Sequence, residues 1–319
     1  MHKQNRIDYV KMHGIGNDYV FVSALDAPLP INLNAFGTLA RSMSDRHRGV
    51  GSDGLILISK PESNLAHVRM QIWNADGSSA EFCGNGLRCV ARLCRERFGI
   101  HDEVLRIDTG AGVLGVRTVS SEQDAPFVAC VDIGTPRFGT DAFLIDKSHV
   151  DAVEGFQLRL RSVGAISNIV CVPVSVGNPH VVLLVDDLDQ VHAKPFEWIG
   201  PLVEIHPAFP EHVNVHAVKV VSRSHLRMQS WERGVGLTRS CGSGACAAVV
   251  AARILEMCDT DVCVELPGGK LSVSWDNLHP QSHMTMTGGA TYICAGHVYV
   301  LPSGELVDAY PSQAAFLPL

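Results

Sequence analysis

The strongest constraint on this chain is a device that it carries twice. Residues 81–92 read EFCGNGLRCVAR and residues 239–250 read RSCGSGACAAVV. Each sets a cysteine directly before Gly-x-Gly and then begins a good helix-forming run. Cys83 and Cys241 lie 158 residues apart, and three further markers keep step with them. Gly16-Asn17-Asp18-Tyr19-Val20 matches Gly177-Asn178-Pro179-His180-Val181, 161 residues on. TGAGVLGVRT at 109–118 matches LPGGKLSVSW at 266–275, with Gly112 and Gly269 separated by 157. Asp132-Ile133-Gly134-Thr135-Pro136 roughly matches Met286-Thr287-Gly288-Gly289-Ala290, at a separation of 154. Four markers in order, with slowly drifting offsets, describe two homologous halves. A pseudo-two-fold axis would set the two Cys-Gly-x-Gly turns opposite each other, with the site between the halves.

The remaining pattern says what each half is made of. Short β-rich runs dominate, among them DYVFVSA, GLILIS, HVRMQIWN, NIVCVPVSV, HVVLLV, VNVHAVKVV and KLSVSW. Helix signals are fewer and fall near 34–47, 84–98, 195–206 and 242–258; the second and fourth carry apolar residues at i, i+3, i+4 spacing. The expected fold class is α/β (α+β): two pseudo-symmetric halves, each a mostly antiparallel sheet wrapped around a central helix, with the active site in the cleft between them. The expected domains are residues 1–136, joined by a C-terminal strand in 292–319, and residues 137–291.

Composition narrows the function classes. The 319 residues are 46% hydrophobic and 18% charged, which is ordinary globular usage. A formal net charge of −7 gives no basic patch for nucleic acid or an anionic membrane surface, so neither is expected as a partner. The start, MHKQNRIDYV, has no apolar core of signal-peptide length, and runs such as VCVPVSV and VVLLV are too short to span a bilayer. A cytoplasmic location is the expectation. Of the 10 cysteines, those inside helices, such as Cys89 and Cys246, read as small core hydrophobes. Spacings of six and five among Cys83, Cys89 and Cys94 form no zinc pattern, so no metal is expected.

The chemistry of the paired turns follows from their parts. A helix N-terminus leaves backbone N–H groups unpaired and carries partial positive charge. Glycine there lets an anion such as an α-carboxylate approach the backbone. A thiol at such a position has its thiolate stabilised, so a lowered pKa is expected for it. Two thiols serving opposite faces of one carbon can invert it: one removes a proton, the other returns one. The cradle holds the charge that develops, and no cofactor is required. Glu232, nine residues before Cys241, is a candidate to poise that thiol; Asn74 occupies the matching place before Cys83. His180 is a candidate to poise Cys83 from across the cleft. Asn17, Asn74, Asn178 and Asn214 fall at motif positions as either substrate ligands or turn devices, and Arg233 suits bidentate contact with a second carboxylate.

These residues closely resemble the diaminopimelate epimerase family. The resemblance covers most of the chain: KMHGIGNDYVFV at 11–22, DRHRGVGSDGLI at 45–56, WNADGSSAEFCGNGLRCVAR at 73–92, VGNPHVV at 176–182, HVNVHAV at 212–218, WERGVGLTRSCGSGACAAVVA at 231–251 and PGGKLSV at 267–273. It implies a cofactor-independent epimerase that interconverts LL- and meso-diaminopimelate in lysine and cell-wall precursor biosynthesis. It also implies a homodimer whose partner molecule is a small amino acid substrate. By position, Cys83 and Cys241 resemble the proton donor–acceptor pair, with His180 and Glu232 tuning them. Gly84-Asn85 and Gly242-Ser243 resemble the carboxylate cradle. Asn17, Asn74, Asn178, Asn214, Glu232 and Arg233 resemble the other substrate ligands, with Arg233, Asn74 and Asn214 at the distal end. The chain departs from the family at Tyr19, usually Phe; at Gly54, where some relatives carry Gln; and at Gly289, usually Pro. Extra residues fall near 120–127 and 141–156 and in the tail LPSGELVDAYPSQAAFLPL.

Two other functions compete. A related racemase acting on histidine or proline would keep the cysteines but have no need of Arg233. A redox-regulatory thiol protein would have no use for the matched glycine cradles.

Overall fold

The structure, a computed structural model, describes residues 5–81, 83–121, 125–164, 166–191, 193–276, 279 and 281–311. The extra segment at 120–127 and the tail therefore lie partly outside the described residues. The chain divides into two compact units: residues 1–131 with 288–319, and residues 132–287.

In the first unit, strand Asn5–Gly14 pairs antiparallel with Asn17–Ser23, which runs parallel to Gly54–Ser59. Gly54–Ser59 pairs antiparallel with Val68–Asn74, and that strand runs parallel to Val104–Thr109. Val104–Thr109 then turns back into Gly112–Ser120. Helix α1 (Phe36–Ser44) bridges the first parallel pair, and helix α2 (Gly84–Arg97) bridges the second. The closing strand Thr291–Val300 pairs with Asn5–Gly14, and Leu306–Pro311 adds to its other edge.

In the second unit the connectivity is the same. Ile169–Ser175 pairs antiparallel with Pro179–Leu184, which runs parallel to Asn214–Ser222. Asn214–Ser222 pairs antiparallel with His225–Glu232, which runs parallel to Asp261–Leu266 and on into Gly269–Ser274. Helices α3 (Phe196–Glu204) and α4 (Gly242–Ile254) fill the places of α1 and α2. The hairpin Val150–Glu154 with Gln157–Leu160, whose first strand falls in the extra segment at 141–156, extends this unit along Ile169–Ser175.

All four expected helices are present. The strands Val104–Thr109, Asp261–Leu266 and Met284–Gly289 were not singled out, because charged residues interrupt the apolar runs of the first two and threonine and glycine that of the third. Alternation explains why GLILIS reads as continuously apolar: the strand is buried on both faces. Leu55 and Leu57 pack with Phe36, Leu39 and Met43 of α1. Ile56, on the other face, packs against Gly86 of α2. The same split recurs at Asn214–Ser222, where Val215 and Ala217 pack with Phe196 and Ile199 of α3. Helix α4 is buried along almost its whole length, from Ala245 to Ala252, as expected of a central helix that is apolar all round.

One turn ties the outer helix of the first unit to the strand that ends at Asn74. Gly77 has φ +83°, and a Cβ there would lie 2.5 Å from the carbonyl oxygen of Gly37 on α1. Gly77→Ala meets both left-handed strain and a backbone clash, so it should destabilise the protein by about 2 kcal/mol or more. Urea unfolding of the variant beside the parent chain measures this; an unchanged midpoint would show that the turn can relax.

Candidate active site

The site residues of the first unit gather at the start of α2. Cys83 is extended (φ −141°, ψ 116°), and its carbonyl accepts the first helical hydrogen bond from the Leu87 N–H at 2.9 Å. Its thiol lies 3.6 Å from Asn17 Oδ1. Asn17 opens the neighbouring strand, and the same Oδ1 accepts from Asn85 Nδ2 at 3.1 Å. Asn17 in turn donates to Asp53 at 2.8 Å. Burial, and then the charge of Asp18, raises the Asp53 carboxyl above its usual range, while Arg46 ties Asp53 to Asp18.

Arg88 completes this group from beneath. It is fully buried, and it donates to Asn85 Oδ1 at 2.7 Å and to the carbonyls of Gly84 and Gly289. A guanidinium spent on the cradle's own carbonyl and amide holds Gly84-Asn85 in one geometry. Asn74 ends the strand Val68–Asn74, where its Nδ2 donates to the Ser78 hydroxyl at 3.0 Å and its backbone N–H to the Ser78 carbonyl.

In the second unit Cys241 repeats the geometry of Cys83, with φ −125°, ψ 105°, and a helical bond from Ala245 N–H to its carbonyl at 3.0 Å. The thiol is buried and lies 3.7 Å from Ser243 Oγ. The helix-start argument expects a lowered thiol pKa, and for Cys241 the structure reverses it. Burial first, then the Glu232 carboxylate beside it, push the thiol well above its ordinary value; Ser243 and the Gly244 N–H only partly oppose them. Desolvation of a fully buried thiolate outweighs two hydrogen-bond donors. Cys241 therefore rests as a thiol, with Glu232 positioned as its acceptor. Glu232 is held by the Thr238 hydroxyl.

His180 is fully buried, and both of its ring nitrogens have partners in its own unit. Nε2 lies 2.8 Å from Asn178 Oδ1, and Nδ1 lies 2.9 Å from His216 Nε2. Burial, His216 and Arg233 depress its pKa well below the usual value, so the ring is neutral. Asn214 Nδ2 donates to the Pro179 carbonyl, and its Oδ1 accepts from the Arg233 N–H. Arg233 is anchored through Nη1 on the Glu211 carbonyl at 2.8 Å. At Gly54 a Cβ would lie 2.4 Å from the Trp73 carbonyl, so this backbone excludes the glutamine of some relatives.

Asp53, Arg88, His216, Ser230 and Thr238 were missed as site supports. Only Arg88 and His216 left a signal, as polar residues in the buried phase of their elements. Among the described residues, no group of three or more His, Cys, Asp or Glu side chains is arranged to hold a metal ion. No helix among them is long and apolar enough to cross a membrane.

This two-unit architecture is that of a solved hydroxyproline epimerase from Agrobacterium vitis, with a TM-score of 0.67 over 97% of this chain and 96% of that one, at 15% identity. A Bacillus anthracis protein of the phenazine biosynthesis PhzF family shares the fold as well, with a TM-score of 0.64 over 94% of this chain and 99% of that one, at 18% identity. The diaminopimelate epimerase family profile matches residues 9–139 and 172–293. Diaminopimelate epimerase of Halothermothrix orenii is 37% identical over 92% of this chain and 98% of its own length. That of Desulfovibrio desulfuricans is 40% identical over the same shares. The chain belongs to the diaminopimelate epimerase family.

The buried histidines make a stability prediction. His180 and His216 have folded pKa values below the ordinary 6.5, His216 down to about 3. Below pH 6.5 the unfolded chain binds protons that the folded chain refuses, so stability is full above 6.5 and falls as pH drops toward 3. Urea unfolding at steps between pH 7 and pH 4 should show this decline. It should be shallower in His216→Gln, which removes one of the two groups.

Proposed function

We propose that this isomerase interconverts LL- and meso-2,6-diaminopimelate by two-base proton transfer between Cys83 and Cys241, on the route to lysine and peptidoglycan precursors. One observation carries the reading: each unit builds the same extended cysteine at the start of a buried helix, backed by its own polar residues.

In one direction a thiolate removes the α-hydrogen and becomes a thiol. The electron pair delocalises into the α-carboxylate, whose charge the helix-start N–H groups of Gly84-Asn85 and Gly242-Ser243 stabilise. The second thiol delivers its proton to the opposite face and becomes the thiolate. The carbon is inverted, and the two sulfurs have exchanged states. Cys241 is suited to the thiol role at rest, since Glu232 is placed to take its proton when the roles reverse. Arg233, fixed by its carbonyl contacts, takes the distal carboxylate, and Asn74 and Asn214 order that end. The distal centre stays fixed and so positions the reacting carbon. A histidine or proline racemase has no distal carboxylate for Arg233 to bind, and the family match runs against that alternative.

The test is incubation with LL-diaminopimelate in D2O without added cofactor. Deuterium should enter at the α-carbon as the meso form accumulates. Exchange into histidine but not diaminopimelate would overturn the substrate assignment. Cys83→Ala and Cys241→Ala should each lower turnover by about 10³-fold or more while leaving the circular dichroism unchanged. Full epimerisation by either variant would refute the two-base scheme.

A further inference from the structure

The two units place different residues at the same positions, and one difference goes beyond what building the fold requires. In the first unit, Ile56 pairs in register with Ile72 and packs on Gly86, the second glycine of the Cys-Gly-x-Gly turn. In the second unit, His216 pairs in register with Ser230 and packs on Gly244, the glycine matching Gly86. A Cβ on Gly244 would lie 2.4 Å from His216 Cε1. Tyr19 in the first unit stands where His180 stands in the second. The triplet Tyr19, Ile56, Ile72 thus becomes His180, His216, Ser230. The first unit shows that an isoleucine pair suffices to seat the strand on the helix.

An imidazole that is fully buried carries a desolvation cost that isoleucine does not. His216 meets it with two hydrogen bonds, to His180 Nδ1 at 2.9 Å and to Ser230 Oγ at 3.0 Å. The donors along this row can be ordered. Asn178 Oδ1 is an acceptor, so His180 carries its proton on Nε2. His180 Nδ1 is then an acceptor and takes the proton of His216 Nε2. His216 Nδ1 in turn accepts from the Ser230 hydroxyl. Every donor and acceptor in the row is matched, with both rings neutral. Arg233 is the cation that bears on His180, and it too opposes protonation of the ring.

We propose that His216, supported by Ser230, is a positioning residue that locks His180 as a neutral Nε2–H donor. On the proposed reaction, His180 then acts as a neutral ring whose Nε2–H is held by Asn178 Oδ1 and orients that amide, rather than accepting a proton as a base. The arrangement also seats the first turn of α4, which follows Cys241, because the imidazole occupies the space above Gly244. The catalytic assignment rests on the function proposed above; the tautomer assignment does not.

The experiment has two arms on the full chain. The first is 15N NMR of histidine-labelled protein at pH 7, with the His180 signals assigned by their loss in His180→Gln. One protonated nitrogen, Nε2, is expected. A proton on Nδ1, or a doubly protonated ring, would overturn the inference whether or not the chain turns over diaminopimelate. The second arm compares His216→Ile, the residue of the matching position, with His216→Gln, whose Nε2 keeps a donor toward His180. His216→Ile should lower kcat about tenfold or more with KM changed less than about twofold, and should mix the His180 tautomers. His216→Gln should recover most of kcat and the single tautomer. Equal losses in both variants, or none in His216→Ile, would overturn the positioning role. If the parent chain fails on diaminopimelate, the function falls and the NMR arm alone decides the tautomer. If His216→Ile does not fold, the parent tautomer and the His216→Gln kinetics decide.

Discussion

The contact between a sheet side chain and the second glycine of each Cys-Gly-x-Gly turn fixes the rest of the structure. Ile56 lies on Gly86 and His216 on Gly244, each so close that a Cβ on the glycine would clash. This approach presses the first turn of a central helix onto the middle strand of its sheet. The cysteine just before that turn is held extended, and the register of the strand decides which side chains lie beside it. Everything polar around the thiols follows from this placement. Asn17 opens the strand beside Gly54–Ser59; Asn178 directly precedes, and His180 lies in, the one beside Asn214–Ser222.

The same burial that makes the packing close sets the electrostatics. Helix N-termini favour anions, and two of them beside thiols argue for easily formed thiolates. At Cys241 that pull competes with near-complete burial and with a carboxylate, and the thiol form wins. On the proposed reaction the helix-start N–H groups act on charge that arises only during turnover, where a pre-set donor is most useful. The second unit extends the logic by burying a neutral histidine row where the first has Tyr19, Ile56 and Ile72. The two halves share a scaffold and differ in which polar residues are set into it.

Much of the fold was legible because the repeat is local in kind. Helices α2 and α4 follow from a glycine start and i, i+3, i+4 spacing, and GLILIS and HVVLLV follow from length and β-branched content. Strands such as Val104–Thr109 were not legible, because Arg106 and Asp108 break the apolar signal. Among the polar motif residues, Asn214 had two open readings as a sequence feature. The structure adds its two backbone partners, Pro179 and Arg233, which no spacing in the sequence announces. Arg88 and His216 were passed over because a charged or titratable residue in a buried phase looks like a pattern error until its partners are seen.

By itself the sequence determined that the protein is one unit used twice, that each copy starts a central helix at a cysteine, and which family the motifs belong to. Those properties reside in spacing and residue type, which survive in one dimension. Only the tertiary structure decided the protonation of Cys241, the neutral state of His180, and the supports given by Arg88, Ser230 and Thr238. Each depends on desolvation and on partners brought together from different strands and helices. Cross-strand register supplies such neighbours, and distance along the chain does not record them.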